Sequence, residues 1–300
     1  MKKNILFFTF FILCCQCAFA QSMVKESLSF HSDKLGTDVR YSIYLPDGYN
    51  YSERKYPVLY LLHGWTDDET SWLQMGEVQK IADETIQKGK STAVVIVMPD
   101  ASDTWYINSY DNKILYEDMF FKELIPFIQD TYRVRSQKQY QAISGLSMGG
   151  YGAFLYTIHH PECFTACAPL SAAVYTDEQM KKALHTDRGK LFDILYGKGN
   201  LTKHWYKNSI LHLLESAELD SSFDVAYYID CGDDDSLLHG NNIAHELLKE
   251  KGIRVGIGTS NSYELTRACL KAHDILEDID YILTSDEVPN GKPAPDIYLM

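Results

Sequence analysis

The segment Gly145-Leu146-Ser147-Met148-Gly149 has the residue types and spacing of a serine nucleophile. An apolar run from Tyr140 to Ile143 precedes it, and small residues that open a helix follow, so Ser147 belongs at a sharp strand-to-helix turn. Gly145 and Gly149 leave room for a strained turn that lifts the hydroxyl clear of the backbone and lets the helix pack close behind. A serine hydroxyl is a poor nucleophile near neutral pH unless a neighbouring base takes its proton, and the usual chain order is serine, acid, histidine. The chemistry implied is acyl transfer from an ester to Ser147. It demands an acid and a histidine downstream.

The acid is legible. Cys231-Gly232-Asp233-Asp234-Asp235 leaves an apolar run and turns; Asp235 lies far enough into the turn to point back across the strand ends, and Asp233 and Asp234 read as turn formers. Upstream, Leu61-Leu62-His63-Gly64-Trp65 ends a strand where one oxyanion amide is placed. The backbone N–H groups of Trp65 and of Met148, next to the nucleophile, are the candidate donors, and one such donor is worth roughly 3 to 4 kcal/mol of barrier. His63 is expected to fix this loop by hydrogen bonding rather than to act as base. The downstream histidine is the difficulty: none lies between His245 and His273.

Positioning these groups is the task of an α/β sheet with helices on its faces. Near-continuous apolar runs predict strands over Tyr41–Leu45, Val58–Leu62, Ala93–Met98, Tyr140–Ser144, Ala166–Leu170 and Val225–Asp230, as buried parallel strands require. Helical spacing marks Val78–Ile86, Glu117–Thr131, Tyr151–His159 and Asn242–Lys251, with Gly89 and Gly252 where C-terminal stops belong. The more polar stretch from Asp177 to Ser222 reads as an insertion of short helices, either a roof over the site or a surface excursion.

Composition narrows the function. Three hundred residues at 45% hydrophobic content suffice for one large domain, or one and part of a second, and a net charge of −13 makes nucleic acid an unsuitable partner. Lys2 and Lys3 precede an apolar run, Ile5 to Leu13, closed by Ala18-Phe19-Ala20, so residues 1–20 read as a secretory signal peptide. That run is too short to span a membrane, and Leu13 and Gln16 before Cys14 and Cys17 do not suit a lipid-anchor signal; export to the periplasm or outside without a membrane anchor is expected. Cys163, Cys167, Cys231 and Cys269 then remain, at spacings matching no zinc pattern, and read as buried thiols.

The motifs together resemble those of the esterase D and feruloyl esterase family of α/β-hydrolases, from about Ser27 to Gly252. They are Tyr56-Pro57-Val58-Leu59-Tyr60-Leu61-Leu62-His63-Gly64, Val97-Met98-Pro99-Asp100, Trp105-Tyr106-Ile107-Asn108-Ser109, Gly145 through Gly152, and Tyr228 through Gly232 with Asp235. The resemblance implies Ser147 as nucleophile, Asp235 as orienter of the base, and Trp105, Tyr106 and Asn108 near the substrate. It implies no cofactor and no metal. In that family the base histidine stands in a Gly-Gly-His loop one strand beyond the acid, and here the pattern stops after Gly252.

From Ile253 to Met300 the chain resembles another superfamily, the haloacid dehalogenase phosphatases near the β-phosphoglucomutase branch. Val255 through Ser262 matches its strand-end Thr/Ser motif and Gly291 through Tyr298 its lysine motif, which implies phosphoryl-binding roles for Thr259 and Lys292. The aspartate pair that carries phosphoryl chemistry there is absent upstream, so this tail is an incomplete fragment. The domain organisation expected is 1–20 leader, 21–252 esterase domain and 253–300 fragment, a fusion by recombination or by sequence assembly.

The fold class expected is therefore α/β, an α/β-hydrolase fold with a mostly parallel sheet whose last strand and helix come from the foreign segment. Arg254–Gly258 would pair beside Val225–Asp230, with the helix Tyr263–His273 taking the lost helix's packing and Tyr281–Thr284 as a further strand. The function implied is an exported ester hydrolase acting on acetyl or feruloyl esters of carbohydrates, a small-molecule or oligosaccharide substrate, impaired by the missing base. His239 and His273 are the remaining substitutes for it. The alternatives are a carbohydrate-binding relic without turnover and, from the tail, a Mg²⁺-dependent phosphatase or mutase.

Overall fold

Apolar alternation and glycine punctuation generate a strand-and-helix series that runs the length of the chain. The computed structural model describes residues 22–199, 201–216, 223–232, 234–253, 255–259, 263–272 and 281–284; the leader, Asp233, His273 and the lysine motif around Lys292 lie outside them. The N-terminal half comprises β1 (Met23–Ser32), β2 (Thr37–Leu45), β3 (Val58–Leu62), α1 (Ser71–Gln74), α2 (Val78–Gln87), β4 (Val95–Pro99), α3 (Tyr116–Met119) and α4 (Ile125–Thr131). The elbow strand β5 (Gln141–Leu146), α5 (Met148–His159) and β6 (Ala166–Leu170) follow. Four short helices, α6 (Asp177–Ala183), α7 (Gly189–Tyr196), α8 (Lys203–Asn208) and α9 (Ile210–Ser216), form the insertion. The chain then continues as β7 (Ala226–Ile229), α10 (Leu238–Glu250), β8 (Val255–Thr259), α11 (Tyr263–Ala272) and β9 (Tyr281–Thr284).

Among the described residues the strands form one sheet in the order β1-β2-β4-β3-β5-β6-β7-β8-β9. β1 and β2 pair antiparallel, β2 pairs antiparallel with β4, and every pair from β4 outward through β3 to β9 is parallel. This is the α/β-hydrolase architecture that the strand pattern predicts. β1 was not legible, because a register shift between Lys25 and Leu28, with Ser27 at φ 50°, breaks its period-two pattern. The helix expected over Glu117–Thr131 is continuous in space but not uniform. Pro126 lies in the first turn of α4, and a π-helical turn, Phe120–Leu124, precedes it, absorbing the amide that proline lacks.

Two apolar layers hold the sheet. On one face, Val78 and Ala82 of α2 pack with Tyr44, Leu61, Ile96 and Met98. On the other, α5 is buried on nearly every side from Met148 to Thr157 and joins Ile143, Cys167 and Tyr227 in the main core. A helix apolar all round belongs in the middle of a core rather than on its surface.

The junction at Gly252 closes cleanly. Gly252 takes φ 71°, its N–H reaches Lys249 O at 2.8 Å, and Ile253 N–H reaches Leu248 O at 3.1 Å, the left-handed stop that glycine permits. Beyond it, β8 pairs in parallel with β7, Tyr227 opposite Val255 and Ile229 opposite Ile257, as expected for the foreign strand; Arg254 is outside the described residues. β9 pairs outside β8 from Gly256–Tyr281 to Thr259–Thr284.

The connections differ in direction along the sheet. The steps β5–α5–β6, β7–α10–β8 and β8–α11–β9 all move outward along the sheet, whereas β3–α2–β4 moves the other way. α5 packs in the main core on one face, and α2 packs on the opposite one. Ala142, Ala166 and Ala168, on the α2 face, are accordingly only half-buried, while Ile143 and Cys167 behind them are 1% and 2% exposed.

Candidate active site

The elbow is held by backbone contacts that side chains larger than hydrogen would block. A Cβ on Gly145 would stand 2.4 Å from Gly149 O, and one on Gly149 would stand 2.4 Å from Leu62 O and 2.6 Å from His63 O. The glycines let β5, α5 and the loop after β3 meet at van der Waals distance. Ser147 itself takes φ 56° and ψ −110°, a conformation L residues rarely adopt and one that an elbow holds under strain. Its N–H donates to Leu170 O at 2.9 Å and its carbonyl accepts from Tyr151 and Ala173 amides, both at 2.9 Å. Leu146 is 40% exposed and Ser147 half-buried, so the turn opens to solvent on one side.

The oxyanion loop lies against this turn. Met148 opens α5, so its N–H has no partner four residues back and remains available. His63 fixes the neighbouring loop, as its place in the sequence suggested. The Ala101 N–H donates to its Nε2 at 2.8 Å and its Nδ1 lies 2.7 Å from Gly64 O, which fixes the ring between the two loops. Trp65 is half-buried under Arg188, whose guanidinium carbon sits 4.2 Å from its ring centre. Arg188 also donates to Tyr175 Oη at 3.2 Å. The insertion therefore touches the oxyanion loop, a contact for which the sequence carried no signal because no motif marks Arg188. A second unforeseen feature is a cleft of about 180 Å³ lined by Gly64, Asp67, Trp72, Met75 and Leu146.

Asp235 lies on the acid turn, half-buried, and its Oδ1 accepts the Leu237 N–H at 2.9 Å at the start of α10. Burial, with the Asp235 charge behind it, pushes the Cys231 thiol up to about 11. The loop 171–174 ties this turn to the elbow: Ser171 N–H donates to Asp230 O, and Asn241 Nδ2 donates to Ala172 O at 2.8 Å. Among the described residues no histidine hydrogen-bonds the Ser147 hydroxyl or the Asp235 carboxylate.

Most of the described histidines are engaged elsewhere. His159 and His160 both face Glu117, at 2.8 and 3.0 Å. Burial raises the Glu117 carboxyl, but the two imidazoles outweigh it and hold it at about 2. His204 bonds Asn108 O, His212 bonds Asp177, and His239 is exposed on α10.

The residues placed by resemblance near a substrate are built into the wall behind the site. Tyr106 is fully buried and its hydroxyl donates to His63 O at 2.9 Å, so it steadies the oxyanion loop from below. The Asn108 amide clasps Asp118, donating to its carboxylate and accepting its N–H, each at 3.1 Å. Trp105, 2% exposed, packs against Tyr151, Tyr175 and Phe192, and its indole N–H has no acceptor among the described residues. Of the thiols read as buried, Cys167 is, whereas Cys163 and Cys231 are half-buried; all three are free, and the side chain of Cys269 lies outside the described residues.

Comparison with known proteins agrees with the architecture. The Esterase family model matches residues 32–254, and that of the haloacid dehalogenase-like hydrolases matches residues 236–300. A Xylanibacter ruminicola endo-1,4-beta-xylanase/feruloyl esterase is 33% identical over 163 residues, 52% of this chain and 22% of that one. An acetyl esterase of Caldicellulosiruptor saccharolyticus is 23% identical over 210 residues, 66% and 73% of the two chains. The chain spans under a third of the first curated relatives it matches, 22% and 27% of their lengths. Among solved structures, a ferulic acid esterase superposes with a TM-score of 0.67 at 27% identity, covering 86% of this chain and all of that one.

Proposed function

This chain belongs to the Esterase family, and we propose that it is an exported carboxylic ester hydrolase whose turnover is crippled by the loss of its base. In this reading Ser147 is the nucleophile, the Trp65 and Met148 amides form the oxyanion hole, and Asp235 orients a histidine that is no longer supplied. The substrate class is an acetyl or feruloyl ester of a carbohydrate. Relatives named as feruloyl and acetyl esterases support that class, and the small apolar cleft beside Gly64 and Leu146 offers room for an acyl group. Export rests on the leader read from residues 1–20.

One observation carries the impairment: no described histidine reaches Ser147 or Asp235. Without a base the hydroxyl keeps its proton. A preorganised oxyanion hole still lowers the barrier, so the rate should fall by about 10⁶ from an intact triad and remain ~10³ to 10⁴ above water. Hydrolysis of p-nitrophenyl acetate tests this. The full chain should show only that residue of activity, and Ser147→Ala should keep most of it, because an unactivated serine contributes little. Turnover at the rate of an intact triad, abolished in Ser147→Ala, would overturn the impairment and identify a working base.

A further inference from the structure

The α2 face of the sheet carries a groove with its own chemistry. It has a volume of about 660 Å³ and runs between α2 and strands β3, β4 and β5, within the range of small-molecule sites. Its walls are apolar: Ile81, Ala82 and Ile86 on the helix, Leu59, Ile96 and Ala142 on the sheet. The register puts Leu59 opposite both Ile96 and Ala142, so the three side chains form one row across the floor.

One end is different in kind. Arg54, Lys55 and Arg135 gather where β3 and β5 begin, the end of the sheet opposite the Ser147 turn. Arg54 stacks at 4.4 Å over Tyr56 and Arg135 at 4.2 Å over Tyr140, and Arg135 Nε donates to Lys55 O at 3.2 Å, so the two guanidiniums are held in place. Among the described residues none of the three makes an ion pair with a carboxylate. In a chain with 41 acidic residues against 28 basic ones, three unneutralised cations at the mouth of an apolar groove select an anion. α2 has ten residues, so the wall is about 15 Å long, roughly the reach of an extended dodecyl chain.

We propose that this groove binds a single-chain fatty carboxylate, its head at Arg54, Lys55 and Arg135 and its tail between α2 and the sheet. A one-ended charge on a slender apolar body matches a one-ended basic groove. A peptide helix or a second copy of the chain would need a longer, flatter surface.

Titration calorimetry of the full chain with octanoate, decanoate and dodecanoate below their micelle concentrations tests the assignment. Affinity should rise by up to about fourfold per methylene. Dodecanol, with no charge, should bind at least about tenfold more weakly than dodecanoate. Ala142→Phe, which fills the floor, should abolish binding. Arg54→Glu with Lys55→Glu, both on exposed side chains, should weaken it at least about tenfold without changing the melting temperature, which covers the case in which Ala142→Phe fails to fold. No saturable binding of dodecanoate, equal binding of dodecanol, or binding unaltered in the double variant would each overturn the proposal.

Discussion

β5 and β8 are both parallel strands of one sheet, each with a helix after it, yet they meet different standards. β5 ends in a turn where two glycines touch the backbone of β3 and its loop, and any side chain on Gly145 or Gly149 would stand within 2.4 Å of a carbonyl oxygen. β8 needs only to pair, and it pairs with β7 across Val255, Gly256 and Ile257 in an unbroken register. Parallel pairing is a property of backbone and alternation, so text from an unrelated superfamily can complete the sheet. A catalytic base is a property of one side chain in one loop, and no generic pattern replaces it. The fold therefore tolerates a tail that matches the haloacid dehalogenase-like family model, and the proposed chemistry does not.

The largest effect expected from this contrast is at the elbow. Gly149→Ala should destabilise the chain by about 3 kcal/mol or leave it insoluble, since the new methyl meets Leu62 O at 2.4 Å with backbone on both sides and nothing that can swing away. Urea unfolding of the purified variant measures it. A cost near zero would mean that the elbow and the β3 loop are not in close contact, and the two strands would then differ less than the geometry says.

The other side of the contrast is the stability of the grafted edge. β9 has one bonded neighbour among the described residues, and β8 is joined to the body through three residue pairs with β7. Local openings follow such weakly tied edges, so amides of β8 and β9 should exchange at least about tenfold faster under native conditions than those of β3 and β5. Native-state hydrogen exchange by mass spectrometry reads both regions in one experiment. Equal protection would show the tail to be folded as one cooperative unit with the esterase body.

Legibility in the sequence followed the same division. The strands from β2 to β7, the elbow, the loop of His63 and the stop at Gly252 were readable because each rests on local pattern, apolar runs or turn chemistry. What was missed depended on contacts between distant segments. The bulge at Ser27 hid β1, and the approach of Arg188 to Trp65 joins residues from two regions with no motif between them. The partners of Tyr106 and Asn108, the His63 carbonyl and Asp118, are of the same kind, since only the folded chain brings them together.

Asp235 offers the smallest and most discriminating change. In an intact triad, impairing the acid drops turnover by about 10⁴ because the histidine loses its orientation. Here the described partner of its carboxylate is the Leu237 amide two residues on, an Asx turn ahead of α10. Asp235→Ala should accordingly cost about 1 kcal/mol of stability through that one hydrogen bond, measured by urea unfolding, and leave the residual p-nitrophenyl acetate rate unchanged. The two readouts separate a structural aspartate from a catalytic one. If the rate collapses with Asp235→Ala while stability holds, a histidine must reach this carboxylate after all, and β8 would meet the standard of β5.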